Sequence, residues 1–435
     1  MSELRQPEKL GEICYIKARI GWRGLSSSEY TDDGPYLIAG QHIRNGQIAW
    51  DKCDHISEQR YLESHEIILR SGDVIITKDG TIGRVARVDE LPGDATINGT
   101  MMLIRPLRRL DYRYLYHVLN GRGFQKLIDD KVSGSSIPHL FQRDMVELKV
   151  DLPTPPHQSK IAEVLDTLDA AIRGTEAVVA KLKAMKQGLL HDLLTRGIDA
   201  NGDLRPPHIE APHLYKETPL GWLPKEWEVA QLGTISSKVT DGTHQAVRTV
   251  DFEDGTHPFL FVSCVREGQI KWKSAARVDE KHYKEISKGR EPEVGMILYT
   301  AVGSYGHAAM VDADIQFAFQ RHIACIFPIK RLVEPGFLAE FLNSASARKH
   351  ADRVAIGNAQ KTVTLGELSR FPVPVPNNEE QLQISKRLAS SNEACTNELT
   401  LLDKLRLQKS GLMDDLLTGR VSVAPLLEEG AAHGA

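Results

Sequence analysis

The sequence predicts a mixed α/β (α+β) fold in two tandem-duplicated units, each a head of short strands and small helices followed by a long helix. Three observations predict it. Short motifs recur at a near-constant offset, a heptad pattern follows each head, and proline-rich strings separate the parts. Gly-Gln-Ile-x-Trp stands at Gly46–Trp50 and again at Gly268–Trp272, 222 residues on. A Gly-x4-Thr-x2-Gly-x2-Gly string occupies Gly72, Thr77, Gly80 and Gly83, and returns 223 residues later at Gly295, Thr300, Gly303 and Gly306. Lys-x-Gly-Leu-x2-Asp-Leu-Leu-Thr ends each copy, at Lys186–Thr195 and Lys409–Thr418. A shared offset across separate motifs means one unit copied in tandem.

The 435 residues give two units of about 220, each long enough to bury a core. Hydrophobic residues make up 41% and charged residues 26%, the balance of an ordinary globular chain. The net charge of −4 means that any nucleic-acid surface must be a local basic patch. The five cysteines, Cys14, Cys53, Cys264, Cys325 and Cys395, form no Cys-x2-Cys pair and fit a reducing compartment. The N-terminal residues lack the apolar stretch of a signal peptide, and no run is apolar enough to span a bilayer, so a cytoplasmic location is expected.

Along the chain, Tyr36–Ala39, Asp73–Thr77, Val85–Val88 and Met101–Ile104 read as buried strands, and Tyr112–Asp129 as a helical stretch. Asp151-Leu-Pro-Thr-Pro-Pro closes the first head. Ile161, Leu165, Leu168, Ile172, Val179, Leu182, Leu189 and Leu193 then form a heptad seam, with Thr175 and Lys186 at its two polar positions. Residues 198–224, with five prolines, read as a linker. The second head has strands at Phe259–Val262, Met296–Thr300 and Ile323–Phe327, and a short helical face at Phe337–Leu342. A second seam follows at Ile384, Leu388, Leu402, Leu405, Leu412 and Leu416, polar in its middle at Ser391, Cys395 and Glu398.

Several kinds of chemistry are absent. There is no Gly-Lys dipeptide and hence no P-loop, no Gly-x-Ser-x-Gly elbow and no His-Glu-x2-His site. Thr154-Pro155-Pro156-His157 lacks the leading Asn or Asp and the aromatic of an adenine-methyltransferase loop, and reads as a helix entrance. Glu147-Leu-Lys149 and Asp279-Glu-Lys281 have the acidic-x-Lys form of nuclease metal sites, a form that also arises by chance.

The positive signals sit in loops. Lys78, Thr81 and Arg84 lie on a glycine-bearing turn after a buried strand, and Ser304, Tyr305 and His307 on its second copy. Glycines let backbone N–H groups approach a phosphate, although a tight turn needs glycine for its own sake. Thr243, His244 and Gln245 follow Asp241-Gly242, while the matching Arg19–Thr31 stretch, with Arg23 and Ser26, shares almost nothing with them. Ser135, Ser136 and His139 align with the loop carrying Gln360 and Lys361, and Arg44, Arg266 and Arg321 complete the candidate DNA-contact set. Arg105, Arg108, Arg109 and Arg113 read as a solvated basic face. Scaffold motifs repeat while contact loops diverge, as in a duplicated reader with two different half-targets. The alternatives are a self-contained DNA-modifying enzyme working through Glu147 and Lys149 or another site, and a dimeric scaffold whose duplicated heads bind protein.

Taken together, these motifs make the chain resemble the specificity (S) subunit of type I restriction-modification systems over nearly its whole length. The residues that carry this are the Gly80-Thr-Ile-Gly83 turn and its copy, Gln158 and Gln381 after the prolines, the two helix ends, Gly221-Trp222-x-Pro-x2-Trp227, and Asp241-Gly-Thr-His244. The resemblance implies two target recognition domains, separated by two long helices that pair as an antiparallel coiled coil. The expected divisions are target recognition domain 1 over 1–157, a central long helix over 158–197, the linker over 198–224, target recognition domain 2 over 225–378, a C-terminal long helix over 379–422 and a disordered tail over 423–435. It further implies a non-catalytic subunit without metal or cofactor of its own. The subunit would read a bipartite, asymmetric target in double-stranded DNA and dock two methyltransferase subunits and restriction (motor-nuclease) subunits. S-adenosylmethionine, ATP and Mg2+ would belong to those partners.

Overall fold

A computed structural model of the chain describes residues 6–18, 25, 27–107, 109–133, 138–251, 253, 255–358 and 360–433. Two compact units emerge, Met1–Glu176 with Thr400–Ala435, and Ala177–Leu399.

In the first unit a four-stranded antiparallel sheet runs in the order Cys14–Ala18, Met101–Pro106, Val74–Thr77, Val85–Arg87. Val74, Ile76, Met102 and Ile104 enter a core shared with helices, whereas Ile75, Met101 and Leu103 enter a second core on the other face. Both faces are covered, which is why these strands read as unbroken apolar runs. Gln6–Lys9 pairs with Lys149–Leu152 and closes the head. Asp54–Ile56, Tyr30–Ile38 and Ala95–Ile97 form a smaller three-stranded sheet.

The second unit repeats this topology. Its central sheet is Ser236–Asp241, Ile323–Pro328, Ile297–Thr300, Ala308–Met310, its small sheet Ala276–Val278, His257–Leu260, Ala318–Phe319, and its closing pair Glu228–Gln231 with Pro372–Val375.

Boundaries differ from the sequence expectation in four places. The single helical stretch over Tyr112–Asp129 is two helices, Tyr112–Leu119 and Arg122–Ser133, because Asn120 caps the first and the chain turns at Gly121. The long helices are Pro155–Thr195 and Asn378–Leu417. Pro155 and Pro156 lie in the first helical turn, where a missing N–H costs nothing. The linker holds a hairpin, Tyr215–Thr218 with Gly221–Pro224, turned by Gly221 at φ +97. The segment over 423–435, expected to be disordered, begins with buried Val423 and forms a helix over Ala424–His433.

Within the first unit the start of one long helix packs on the end of the other. Ile161 and Leu165 share a core with Met413 and Leu416, Asp169 Oδ1 meets Lys409 Nζ at 2.6 Å, and Glu176 meets Arg406 at 2.8 Å. One number rises as the other falls, so the pairing is antiparallel. In the second unit Leu190 and Leu193 share a core with Ile384 and Leu388. Carboxylate Glu380, 5% exposed, accepts from Ile198 N at 2.7 Å, Trp227 Nε1 at 3.1 Å and Arg205 Nη1 at 2.5 Å. The polar middle of the second seam is packed as well: Cys395 is buried, and Asn392 Nδ2 donates to Glu340 at 2.6 Å.

A buried glutamine fixes each long helix to its head. Gln158, 0% exposed, donates to Pro153 O at 2.8 Å and Arg109 O at 3.0 Å, and accepts from Asp111 N at 2.8 Å. Gln381, also 0% exposed, donates to Pro376 O at 2.8 Å and Leu332 O at 3.2 Å, and accepts from Glu334 N at 2.7 Å. Each side chain satisfies the loop that enters one helix of the head, Tyr112–Leu119 or Pro335–Leu342, and the residue five before itself.

A second tie exists in the first unit alone. His117, fully buried, places Nε2 2.9 Å from Asp166 Oδ1, which also receives Arg87 Nη1 at 2.5 Å. Burial holds the imidazole below its ordinary value despite Asp166 pulling the other way. The partner carboxyl is held low by His117 and Arg87 against its own burial. The arrangement is a neutral histidine donating to a carboxylate that Arg87 neutralises.

Gln381→Ala leaves buried backbone groups unpaired and should destabilise the second unit by about 2–4 kcal/mol, read as a fall in the denaturant midpoint of its transition. For His117, the unfolded chain takes up a proton below about 6.5 that the folded unit refuses. Stability of the first unit should therefore decline as pH falls from 7 toward 5, and His117→Gln should flatten that slope in denaturant titrations.

Candidate nucleic-acid interface

The antiparallel register brings Ala18, Thr77, Val85 and Met101 to one end of the first central sheet, and Asp241, Thr300, Ala308 and Ile323 to one end of the second. The candidate loops leave from these ends, so topology alone gathers them.

In the first unit, Thr77 Oγ1 donates to Thr81 O at 2.6 Å and accepts from Arg84 N at 2.9 Å, while Gly83 N donates to Thr77 O at 3.0 Å. Gly80 and Gly83 sit at φ +72 and +84, and a Cβ on Gly83 would stand 2.9 Å from Ile128 Cγ1. The second unit has the same turn, with Thr300 Oγ1 accepting from His307 N at 2.9 Å and Gly306 N donating to Thr300 O at 2.9 Å. The glycines are thus required by the turn itself. Its exposed tips are Gly80, Thr81 and Arg84 in one unit and Gly303 and Ser304 in the other.

Neighbouring loops are stitched to this turn. Asp79 bridges to His139, Leu140 N donates to Lys78 O at 2.9 Å, and Lys78 N donates to Thr100 O at 2.8 Å. At matching positions Val302 bridges to Thr362, Val363 N donates to Ala301 O at 2.9 Å, and Ala301 N donates to His322 O at 2.9 Å. The second unit adds the Asp241 loop, where Thr243 N donates to Phe319 O at 2.9 Å and Arg321 N to Thr243 O at 3.1 Å. Four loops therefore form one continuous face there: 241–245, 301–307, 320–322 and 360–362.

The candidate residues fall into distinct groups. Thr81, Arg84, Ser304, Gln245, Arg321, Gln360 and Lys361 are exposed on these loops. His244 is exposed, with Nε2 2.7 Å from Asp241 Oδ2. His139 is half-buried and paired with Asp79. Burial, then Arg266 and Arg348, keeps His307 below its ordinary value. Arg44 is exposed on a hairpin whose Asn45 side chain reaches Glu176 at 3.3 Å.

Others are turned inward. Lys78 is 8% exposed with its ammonium 2.7 Å from Asp79, unlike the exposed phosphate-binding lysine anticipated from its place beside glycines. Thr243 is buried under its own loop and accepts from Gln245 N. Tyr305 is buried and donates to Asp352 at 2.7 Å. Arg266 donates to Val262 O and Val265 O, each at 2.7 Å. Arg23, Ser26, Ser135 and Ser136 lie outside the described residues.

Sequence reasoning missed Gln320 and His322, whose Nε2 and Nδ1 stand 2.7 Å apart beside Arg321, and Arg290, whose Nε donates to Asp241 O at 2.7 Å. It also missed Phe141 and Arg143, exposed two and four residues beyond His139. The available signal was the alternation His139-Leu140-Phe141 around a fully buried leucine.

The remaining basic cluster is structural in large part: Arg105 grips Asp73 at 2.6 and 2.7 Å, Arg113 meets Asp111 at 3.1 Å and Arg109 meets Glu8 at 2.6 Å, with Arg108 outside the described residues. Glu147 of the acidic-x-Lys string pairs with Lys9 at 2.7 Å. Among the described residues one group of metal-ligating type comes together, His117, Asp166 and Asp169, and its two carboxylates already face Arg87 and Lys409.

The fold is a tandem pair of α+β heads, each carrying a face of loops at one end of its central sheet and each followed by a long helix. Residues 5–184 and 224–405 match the type I restriction modification DNA specificity domain, and the chain belongs to that family. It is a type I specificity subunit by this measure, with DNA sequence recognition as its role. It is 22% identical to the type I restriction enzyme MjaVIII specificity subunit of Methanocaldococcus jannaschii, spanning 98% of this chain and 96% of that one. It is 28% identical to the EcoBI specificity subunit of Escherichia coli, over 93% and 88% of the two chains. The crystal structure of a type I restriction-modification S subunit from M. genitalium superposes with a TM-score of 0.59 at 14% identity, covering 95% of this chain and 96% of that one. None of the helices described is long and apolar enough to cross a membrane.

Arg84→Ala, which removes an exposed cation without touching the turn's backbone bonds, should weaken DNA binding of the assembled complex on all sequences alike. It should also reduce the slope of log K against log salt by about 0.9, measured by titration at several salt concentrations. Lys78→Ala should instead act through folding, lowering the denaturant midpoint with the salt slope unchanged.

Proposed function

We propose that the chain is the non-catalytic specificity subunit of a type I restriction-modification complex, in which each unit contacts one half of a bipartite, asymmetric site in double-stranded DNA. The observation that carries this reading is the pair of loop faces at equivalent sheet ends. Their turns share the same backbone bonds and positive-φ glycines, while their exposed side chains differ: Thr81 and Arg84 in one, Ser304, Arg321, Gln360 and Lys361 in the other. Backbone contacts of this kind position a duplex, and side chains reaching base edges select its sequence.

On this reading the long helices set the gap between half-sites and dock two methyltransferase subunits, with restriction (motor-nuclease) subunits joining them. S-adenosylmethionine, ATP and Mg2+ act on those partners, and the assembly works in the cytoplasm. The test is single-molecule sequencing of adenine methylation in the source genome with the gene present and deleted. One split, asymmetric motif should lose methylation on deletion. A methylation pattern that survives deletion in a strain where the complex is expressed would contradict the assignment.

A further inference from the structure

Phe141 is a large apolar side chain left 44% exposed beside the first unit's loop face. Leu140, between it and His139, is fully buried and donates its N–H to Lys78 O at 2.9 Å. In an extended segment neighbours alternate sides, so His139 and Phe141 share the outward side. His139 is tied to Asp79 on the glycine turn. Its ring centroid lies 4.3 Å from that of Phe141, and the Arg143 guanidinium carbon lies 4.7 Å from the Phe141 centroid.

The platform is anchored below. Gln142 donates to Ile16 O at 3.0 Å and accepts from Ala18 N at 3.2 Å, on the strand that leads into the Arg19–Thr31 segment. Phe141 N donates to Asp144 Oδ2 at 2.9 Å, which fixes the start of the helix Gln142–Val146. The ring is thus held out to solvent by a built support. The matching positions of the second unit are Thr362, Thr364 and Gly366, and Thr364 spends its hydroxyl on capping a helix. At these matching positions the second unit carries neither an aromatic nor a cation.

On the edge of a duplex the 5-methyl of thymine is the one apolar group displayed in the major groove. We propose that Phe141, steadied by His139 and Arg143, is a specificity-determining residue of the first unit that selects a thymine in its half-site by contact with that methyl. This rests on the DNA-reading role proposed above and names the base class that one face prefers.

The experiment uses the full chain assembled with its methyltransferase subunits. Each thymine of the methylated motif is replaced in turn by uracil, which differs only in lacking the methyl, and affinity is measured by competition. One thymine in a single half-site should be sensitive, with binding weakened about tenfold on loss of its methyl, the size expected for one base-edge contact. In Phe141→Ala that sensitivity should vanish while the other half-site is still read. Phe141→Leu, which keeps an apolar side chain, should retain part of it. Absence of any methyl-sensitive thymine in the wild-type complex, or sensitivity that persists in Phe141→Ala, would overturn the proposal. A complex with no sequence preference at all would overturn the DNA-reading role together with it.

Discussion

Where a loop face stands depends on how its head is fastened to its long helix, and in each unit a buried amide is one of the ties. Gln158 and Gln381 are both fully buried and each makes three hydrogen bonds to backbone groups. A carboxylate could not donate to the two carbonyls, and an apolar residue would leave all three groups unpaired in a dry site. A glutamine supplies donors and acceptor at once. It ties the start of the long helix to the loop before Tyr112–Leu119 in one unit and Pro335–Leu342 in the other, and so fixes the head on the helix it stands on.

The duplication has kept this fastening and changed what the faces present. Both turns are built from one threonine hydroxyl, two positive-φ glycines and a return bond to the threonine carbonyl. The side chains above them are free to vary because none of those bonds uses them. In the first unit the face carries Arg84 and the Phe141 platform. In the second it carries Arg321 beside Gln320 and His322, with His244 held by Asp241. The bonds that build each turn and the side chains it exposes are therefore different atoms of the same loops. The first unit alone has the buried His117–Asp166–Arg87 tie; position 340 of the second is Glu340, which meets Asn392 instead.

The fold was legible where local physics leaves a mark on residue type. Positive φ favours glycine, so the turns showed as repeated glycines. A buried helix seam demands apolar residues at heptad spacing, and Ile161, Leu165, Ile384 and Leu388 are all buried. What was hidden depends on partners distant in sequence. Lys78 reads as an exposed cation beside glycines, but Asp79 and the bridge to His139 fold it inward. Tyr305 and Thr243 were expected to reach out, but Asp352 and the Phe319–Arg321 segment hold them in. Prolines over 198–224 suggested only a connection, because a hairpin turned by Gly221 and a buried Arg205–Glu380 pair are tertiary facts. Exposed aromatics such as Phe141 carry no periodic signature, so an adjacent buried leucine was the one clue.

The most direct test of the central claim, that each face reads its own half of the target, is to alter one face and read the motif. Gln245, Arg321 and Lys361 are exposed on the second face, and their side chains take no part in its backbone bonds. With all three replaced by alanine, sequencing of adenine methylation should show one half of the split motif relaxed to several sequences and the other half unchanged. Loss of selectivity in both halves, or an unaltered motif, would contradict the account.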